Sequence, residues 1–503
     1  MQLRKYKVDV FYVNLTRERL NKFLLLYFKH TRFSQRIMYI MNKLTKEYIE
    51  KFLDEFMLTE YKGRDHIIAR AHYRESFNEL IPKFFEPKEE IVQTKVKELI
   101  EDNDLKNIVI IGAGYGGLTA ALRIERLLKK HPTFKVHLID RNPFHTIKTQ
   151  LHEAAVRNAE VSIPLYKILK NKKIQFHLGE VKNIDVENKT VQIHDKLLPY
   201  EFLIIAIGSK VNYYNIPGMA EHSFALQTLN DADKIYEHIS NICASAASEK
   251  NEIIRKENLR FVIGGGGLSG VEFAGELADH TSKCVSNFNI NKSNVEIIVI
   301  EAANRLVPFM DENFSERIKN RLIEKGIKIL LGSKIIKRTA DDVFLSDNNV
   351  IKSKNFIWTG GIRISDLIKR GGLKTSSVGR LIVDEYLKSE NNKYIYAIGD
   401  SANAVNPVTG NPVPAAAQFA LQQGRLAAEN IYAEIFGKPK KMYHPKVLGE
   451  VVSLGKHLAI GWLALPFFKK VTFVGFLGRL LKTAIREKHI ILLRKESRNW
   501  ITY

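Results

Sequence analysis

Cysteine is nearly missing from this 503-residue chain: Cys243 and Cys284 are the only two. That excludes a disulfide framework, a thiolate metal cluster and a CxxC or CxxxxC redox pair, and it fits a reducing compartment. Long apolar runs are missing as well. No stretch of about 18 uncharged apolar residues occurs, so no membrane-spanning helix is expected. The N-terminus also lacks the short apolar core and small-residue cleavage site of a secretory signal. Acids are in deficit, 55 against 77 Lys and Arg, which leaves a net charge of +22. Most of the surplus sits at the ends. Residues 1–50 hold eleven basic side chains against four acidic, and residues 438–503 hold fourteen against three. No zinc-finger spacing or RNP-like signature accompanies this charge, so no nucleic acid partner is expected. Basic ends interleaved with Phe, Leu and Ile suit an anionic membrane surface.

What is present is organised around Asn107–Asp140. Ile108-Val109-Ile110-Ile111 is too short for a helix and rich in β-branched residues, so it reads as a buried strand. Gly112-Ala113-Gly114-Tyr115-Gly116-Gly117 breaks it, Leu118–Lys130 reads as a helix, and Lys135–Ile139 reads as a second strand ending in Asp140. Strand, glycine turn, helix, strand and acid make the dinucleotide-binding fingerprint. Gly112 permits the turn, Gly114 lets the backbone approach a pyrophosphate, Gly117 allows close helix–strand packing, and Asp140 accepts from ribose hydroxyls. A bare glycine turn is the competing reading; the trailing acid weighs against it.

A second fingerprint follows a β-rich stretch and the Pro217-Gly218 boundary. Leu259–Ile263 reads as strand, Gly265-x-Gly267-x-x-Gly270 as turn, Val271–Asp279 as helix, and Val295–Ile300 as the strand ending in Glu301. Glu301 lies further along than the usual twenty or so residues, which calls for a longer helix or loop. A carboxylate there favours NADH over NADPH, with Arg305 nearby as the argument for NADPH. Glu272, just inside the helix, is either a solvated, dipole-complementing acid or a redox-site residue. Phe202–Ile207 running into Gly208 reads as a strand returning to the first sheet, and Ile357–Gly361 as one crossing back to it. Tyr394–Ile398 is closed by Gly399-Asp400, where Asp400 suits a flavin's ribityl hydroxyls or a simple turn cap.

These residues together resemble the two-dinucleotide-domain flavoproteins, and within them the type II NADH:quinone oxidoreductases, from about Asn107 to the C-terminus. Ala417-Gln418-Phe419-Ala420-Leu421-Gln422-Gln423 is similar to that family's AQxAxQQ quinone motif. Asp140–His145, Gly270-Val271-Glu272, Ala274-Gly275-Glu276, Lys446-x-x-Gly449 and Trp500 resemble further family segments. The resemblance implies FAD and NADH as cofactors, with Gly112, Gly114, Gly117, Asp140, Gly208, Gly265, Gly267, Gly270, Glu301, Gly399, Asp400, Ala417 and Gln418 as the binding set. It implies that Gln418 and Gln422 line a quinone pocket, and that Glu272 and Lys446 lie near the flavin to supply protons. Four residues apart on a helix, the two glutamines share a face, and their amides can donate to a quinone carbonyl without bringing charge. Two surface glutamines are the plainer alternative. Leu268 departs from the Pro common in the second turn, and residues 1–103 have no counterpart in the family.

The expected fold is α/β with two Rossmann-like dinucleotide-binding domains, for FAD and NADH. Its divisions are a helical extension (1–103), the FAD domain (104–219 and 355–437), the NADH domain (220–354) and a membrane-associating segment (438–503). In the last, Phe473, Leu477, Leu480, Leu481, Ala484 and Ile485 form a stripe which, with the apolar Leu458–Phe468 stretch, suits an interfacial helix; core packing or a homodimer contact competes. The extension reads as basic amphipathic helix: a small helical domain or an oligomerisation arm, or a second membrane contact, with a mitochondrial transit peptide third because the segment is long, Lys-rich and poor in Ser. The expected activity is hydride transfer from NADH to FAD and then two electrons to a membrane quinone (ubiquinone or menaquinone), without proton pumping. That places the enzyme peripherally on the cytoplasmic face of the cell membrane, with no metal. A sulfide:quinone oxidoreductase and a flavin- and NAD-binding scaffold are the alternatives.

Overall fold

The computed structural model describes residues 105–287, 290–465 and 468–497. The extension expected over residues 1–103, and Trp500, lie outside the described residues. In chain order the first unit supplies β1 (Lys106–Ile111), α1 (Tyr115–Leu127), β2 (Phe134–Asp140), α2 (Leu151–Arg157), β3 (Ile174–Leu178) and β4 (Phe202–Ile205). A second unit follows with β5 (Phe224–Ala225), α3 (Leu229–Ser248), β6 (Arg260–Gly264) and α4 (Leu268–Asn287). It closes with β7 (Glu296–Ile300), β8 (Ile327–Leu330) and β9 (Asn355–Trp358). The chain returns through β10 (Ile395–Ala397) and α5 (Ala417–Ile435). It ends in β11 (Gly449–Ser453), β12 (Ala459–Leu465), β13 (Phe468–Gly475) and α6 (Phe476–Ser497).

The first sheet runs β10-β4-β1-β2-β3 and the second β5-β9-β6-β7-β8. Every pairing in both is parallel. A parallel sheet is covered on both faces, which is why Ile108–Ile111 carries no polar position and is wholly buried. In each sheet the fingerprint strand lies between the strand that follows its helix and a returning strand. The chain thus reverses direction across the sheet at β1 and at β6, and the crevice above such a reversal receives ligands.

Three local readings change. Ile357–Gly361 is not one strand crossing back: Ile357 and Trp358 belong to β9, whose four residues are buried beside β6 in the second sheet, and the chain leaves only at Thr359–Gly361. Helix α4 runs through 20 residues rather than stopping at Asp279, which accounts for the long interval before Glu301. The apolar run from Leu458, read as part of an interfacial helix, forms β12, which pairs antiparallel with β11 and β13. Phe473 therefore lies on a strand, where Val471-Thr472-Phe473-Val474 alternates half-buried and exposed, the two-residue period of a sheet. Gly475, at φ +69, ends that strand before the helix begins.

Helix α5 packs directly on α1. A Cβ on Gly424 would lie 2.3 Å from the carbonyl oxygen of Gly116, so the two backbones touch. A Cβ on Gly116 would lie 3.1 Å from the Ala420 carbonyl oxygen, so the first turn of α5 also lies against the first glycine turn.

Candidate functional site

The first glycine turn is built as its spacing requires. Gly112 sits at φ +102, and a Cβ there would lie 2.2 Å from the Ala206 carbonyl oxygen. A Cβ on Gly117 would lie 1.8 Å from the Gly112 oxygen, whereas one on Gly114 would meet nothing within 4 Å. Gly114 therefore faces open space. It is the N-cap of α1 and no side chain caps that helix, so the first N–H groups remain for an anion. Asp140 accepts from Ala113 N–H at 2.6 Å and Asn142 N–H at 2.8 Å. Burial pushes its carboxyl upward, against these hydrogen bonds and nearby Arg141.

The second turn repeats the plan. Gly265 is at φ +108 with Gly360 packed beneath it, Gly267 faces open space, and a Cβ on Gly270 would lie 2.0 Å from the Gly265 oxygen. Glu301 accepts from Gly266 N–H at 2.6 Å and from Ala303 N–H at 2.8 Å. Both acids thus hold the middle residue of their turn and the residue two positions beyond themselves. Asp140 Oδ1 also accepts from Asn142 Nδ2 at 3.3 Å, so Oδ2 of Asp140 and both oxygens of Glu301 keep a further lone pair for a ribose hydroxyl. Arg305 donates to the carbonyl oxygen of Pro308, 2.6 Å away in its own loop.

Around the first turn, Ser209 donates to Asp400 Oδ2 at 2.7 Å, and Gly208 N–H to Ser401 Oγ at 3.2 Å. Gly208 and Gly399 both adopt left-handed backbone, φ +65 and +64. Gly399 N–H donates to Gln423 Oε1 at 2.6 Å, so the buried glutamine of the AQxAxQQ stretch is Gln423. Ala417 begins α5, whose N-terminus has no side-chain cap.

The other two glutamines bind the strap between α5 and β11. Gln422 Nε2 donates to the Lys446 oxygen at 2.8 Å and its Oε1 accepts Lys446 N–H at 2.9 Å. Gln418 Oε1 accepts Leu448 N–H at 3.2 Å, while its Nε2 is 3.5 Å from the Gly449 oxygen. Lys446 is exposed and is not brought to Glu272. Lys482 of α6 is there instead, 2.8 Å from Glu272 Oε1, which also accepts Ser453 N–H at 2.9 Å. Glu272 is buried, so it is no solvated helix-end acid. Burial pushes its carboxyl up and the Lys482 ammonium draws it back.

His152 completes this cluster. Its Nε2 lies 3.1 Å from Lys482 Nζ and its Nδ1 3.5 Å from Glu272 Oε2. An ammonium only donates, so Nε2 accepts and Nδ1 bears the proton toward the carboxylate. Burial, then Lys482 and Arg157, hold this imidazole neutral. Beside it, Arg157 of α2 grips Glu276 of α4 through Nε at 2.8 Å and a terminal nitrogen at 3.3 Å, and also reaches Glu153 at 2.9 Å. These pairs tie the first unit's α2 to the second unit's α4.

The sequence profile of the pyridine nucleotide-disulphide oxidoreductases matches residues 106–424, the span from β1 into α5. The chain belongs to that family. Among curated relatives, the type II NADH:quinone oxidoreductase of Staphylococcus saprophyticus is 28% identical over 366 residues, covering 71% of this chain and 90% of that protein. The Staphylococcus aureus protein of the same name is 27% identical with the same coverage. Among solved structures, NDH2 of Plasmodium falciparum in complex with NADH superposes with a TM-score of 0.68 at 20% identity, covering 78% of this chain and 96% of that one. The sulfide:quinone oxidoreductase of Aquifex aeolicus gives 0.65 at 20% identity, covering 78% and 92%.

Cys243 and Cys284 sit near the distal ends of α3 and α4. Cys284 is about 24 Å along α4 from the second glycine turn, at 1.5 Å per residue. The two thiols hydrogen-bond to each other, which with burial pushes Cys243 upward. Sequence reasoning found both turns and both acids. It missed Lys482, His152, Arg157 and Gln423, whose partners are distant in the chain. Among the described residues no group of His, Cys, Asp or Glu is arranged to hold a metal.

Proposed function

We propose that this chain is an FAD-dependent NADH:quinone oxidoreductase that does not pump protons. The observation that carries the reading is the duplicated turn: two open glycine positions, each with a carboxylate set to receive a ribose, in one chain. The first turn, with Gly208, Gly399, Asp400 and the uncapped start of α5 beside it, suits the larger FAD. The second, with Glu301 in place and Arg305 engaged in its own loop, suits an unphosphorylated ribose and therefore NADH. When bound, the flavin accepts hydride from NADH and passes two electrons to the quinone. The protein's part is to hold the two nucleotides and to set protons at the site. Gln418, whose Nε2 is the looser of the two strap donors, is free to turn toward a quinone carbonyl. Gln422, satisfied at both ends by Lys446, holds the strap. Glu272, buried and facing the half-buried Lys482, is an acid placed to take or release a proton at the site.

The same reading places the protein peripherally on the cytoplasmic face of the cell membrane. No helix among the described residues is long and apolar enough to cross a bilayer. Helix α6 turns Phe476, Leu477, Leu480 and Ile491 outward, each at least 49% exposed, while Lys482 faces in. An outward apolar face flanked by basic residues suits an anionic lipid surface, from which a lipid-soluble quinone would enter. A homodimer contact on this face is the competing use.

Steady-state NADH oxidation by the purified protein, with and without a soluble quinone, tests the reading. Quinone-dependent turnover is expected, unchanged in Cys243→Ser/Cys284→Ser. A protein that takes up no FAD, or one that turns over sulfide but not NADH, would overturn it.

A further inference from the structure

The first glycine turn receives a contact from the far end of the chain. His489 lies two helical turns beyond Lys482 on α6, hence on the same side of the helix, and is 8% exposed. Its Nε2 is 3.0 Å from Nε2 of His145, and His145 Nδ1 is 2.9 Å from the carbonyl oxygen of Ala113, the middle residue of Gly112–Gly114. Tyr115 packs on both imidazoles, with ring centres 5.2 Å from His145 and 4.7 Å from His489.

The protons follow from the partners. A carbonyl oxygen only accepts, so His145 carries its proton on Nδ1. A neutral imidazole has one, so His145 Nε2 is a lone pair and His489 must donate from its own Nε2. That leaves Nδ1 of His489 as a buried acceptor, and it has no partner. An orphaned acceptor is better tolerated than an orphaned N–H. Burial holds both rings neutral, lowering His145 to about 4 and His489 to about 3. The donors therefore run one way: His489 to His145 to Ala113.

Ala113 is pinned on its other side too, by its N–H to Asp140. The Ala113 carbonyl and the Gly114 N–H share one trans peptide plane and point opposite ways. Drawing the carbonyl toward His145 turns the Gly114 N–H away from it, beside the space that the protein leaves open at Gly114. We propose that His489 is a positioning residue for the FAD pyrophosphate: it holds His145 in the Nδ1–H tautomer and so keeps the Gly114 N–H aimed at the phosphate. This rests on the assignment of FAD to the first turn. Docking of α6 and retention of the flavin are thereby linked.

Flavin release on dilution of the holoenzyme, read by the rise in flavin fluorescence, tests the link in His489→Leu and His489→Gln. Glutamine can place an amide N–H where the imidazole Nε2–H was. The leucine variant should bind FAD roughly ten-fold or more weakly, the effect of losing a buried hydrogen bond, and glutamine should recover affinity to within about three-fold. Ring nitrogen shifts in wild-type protein should show the Nδ1–H tautomer at His145. An Nε2–H tautomer there overturns the proposal even if the leucine variant does not fold, and so does equal FAD affinity in the two variants. Wild-type protein that never takes up FAD strikes the functional reading instead.

Discussion

Replacing Lys482 with methionine keeps the unbranched side chain as far as Cε and removes the charge that faces Glu272. The carboxylate would retain Ser453 N–H at 2.9 Å and His152 Nδ1 at 3.5 Å, and lose the ammonium at 2.8 Å. A buried carboxylate stripped of its cation costs several kcal/mol, so it escapes by taking up a proton. That escape sets the ceiling on the loss. Relative to an unfolded glutamate titrating at about 4.3, protonation costs about 3.7 kcal/mol at pH 7 and about 1 kcal/mol at pH 5. Lys482→Met should therefore destabilise by about 3 kcal/mol at neutral pH and much less at pH 5. Glu272→Gln/Lys482→Met should recover most of the loss, because neither charge is then stranded. Thermal unfolding at matched scan rates at the two pH values measures this. Equal losses at pH 5 and pH 7, or a double variant as weak as the two singles combined, would refute the buried pair.

The glycines of the first turn should separate folding from flavin binding. Gly117→Ala drives a methyl into backbone and should cost about 3 kcal/mol of stability, while Gly114→Ala should leave stability within about 1 kcal/mol yet weaken FAD binding ten-fold or more. Flavin loading and melting of the two variants check it, and full loading of Gly114→Ala would count against the site. Acid lability is also expected. Burial lowers His137 and His489 to about 3 and His145 and His177 to about 4. Below about 6.5 the unfolded chain binds protons that these rings refuse, so stability should fall as pH drops from 6.5 toward 4, by up to about 3 kcal/mol for His145 alone. Glu272 and Glu276, both raised by burial, act in the opposite sense. Melting temperatures that hold level or rise between pH 7 and pH 5 would contradict the four neutral imidazoles.

Both nucleotide units were legible because their signals are local. A β-branched run, glycines at fixed spacing and an acid at the next strand's end each act on backbone within a few dozen residues, so Gly112, Gly114, Gly117, Asp140 and their counterparts from Gly265 to Glu301 occupy the expected places. Strand membership was less legible. A fully buried strand such as Asn355–Trp358 fits the middle of either sheet, and only pairing with β6 decides which. Val471–Val474 carried both helical and two-residue periods; the β-branched pleat and the following Gly475 decided for the strand.

The partners of α6 could not be read at all, and the reason is physical. Periodicity shows that a helix has two faces but not which one turns inward, and the usual rule turns the apolar one in. Here the rule holds only in part: Ile490 and Leu493 do turn inward, but α4 also buries Glu272, and a buried carboxylate requires a cation. Lys482, 210 residues away in the chain, supplies it. Once that residue faces in, the helical repeat carries His489 in behind it and sends Leu477, Leu480 and Ile491 outward. The orientation of the C-terminal helix is thus set by a charge in the second nucleotide unit.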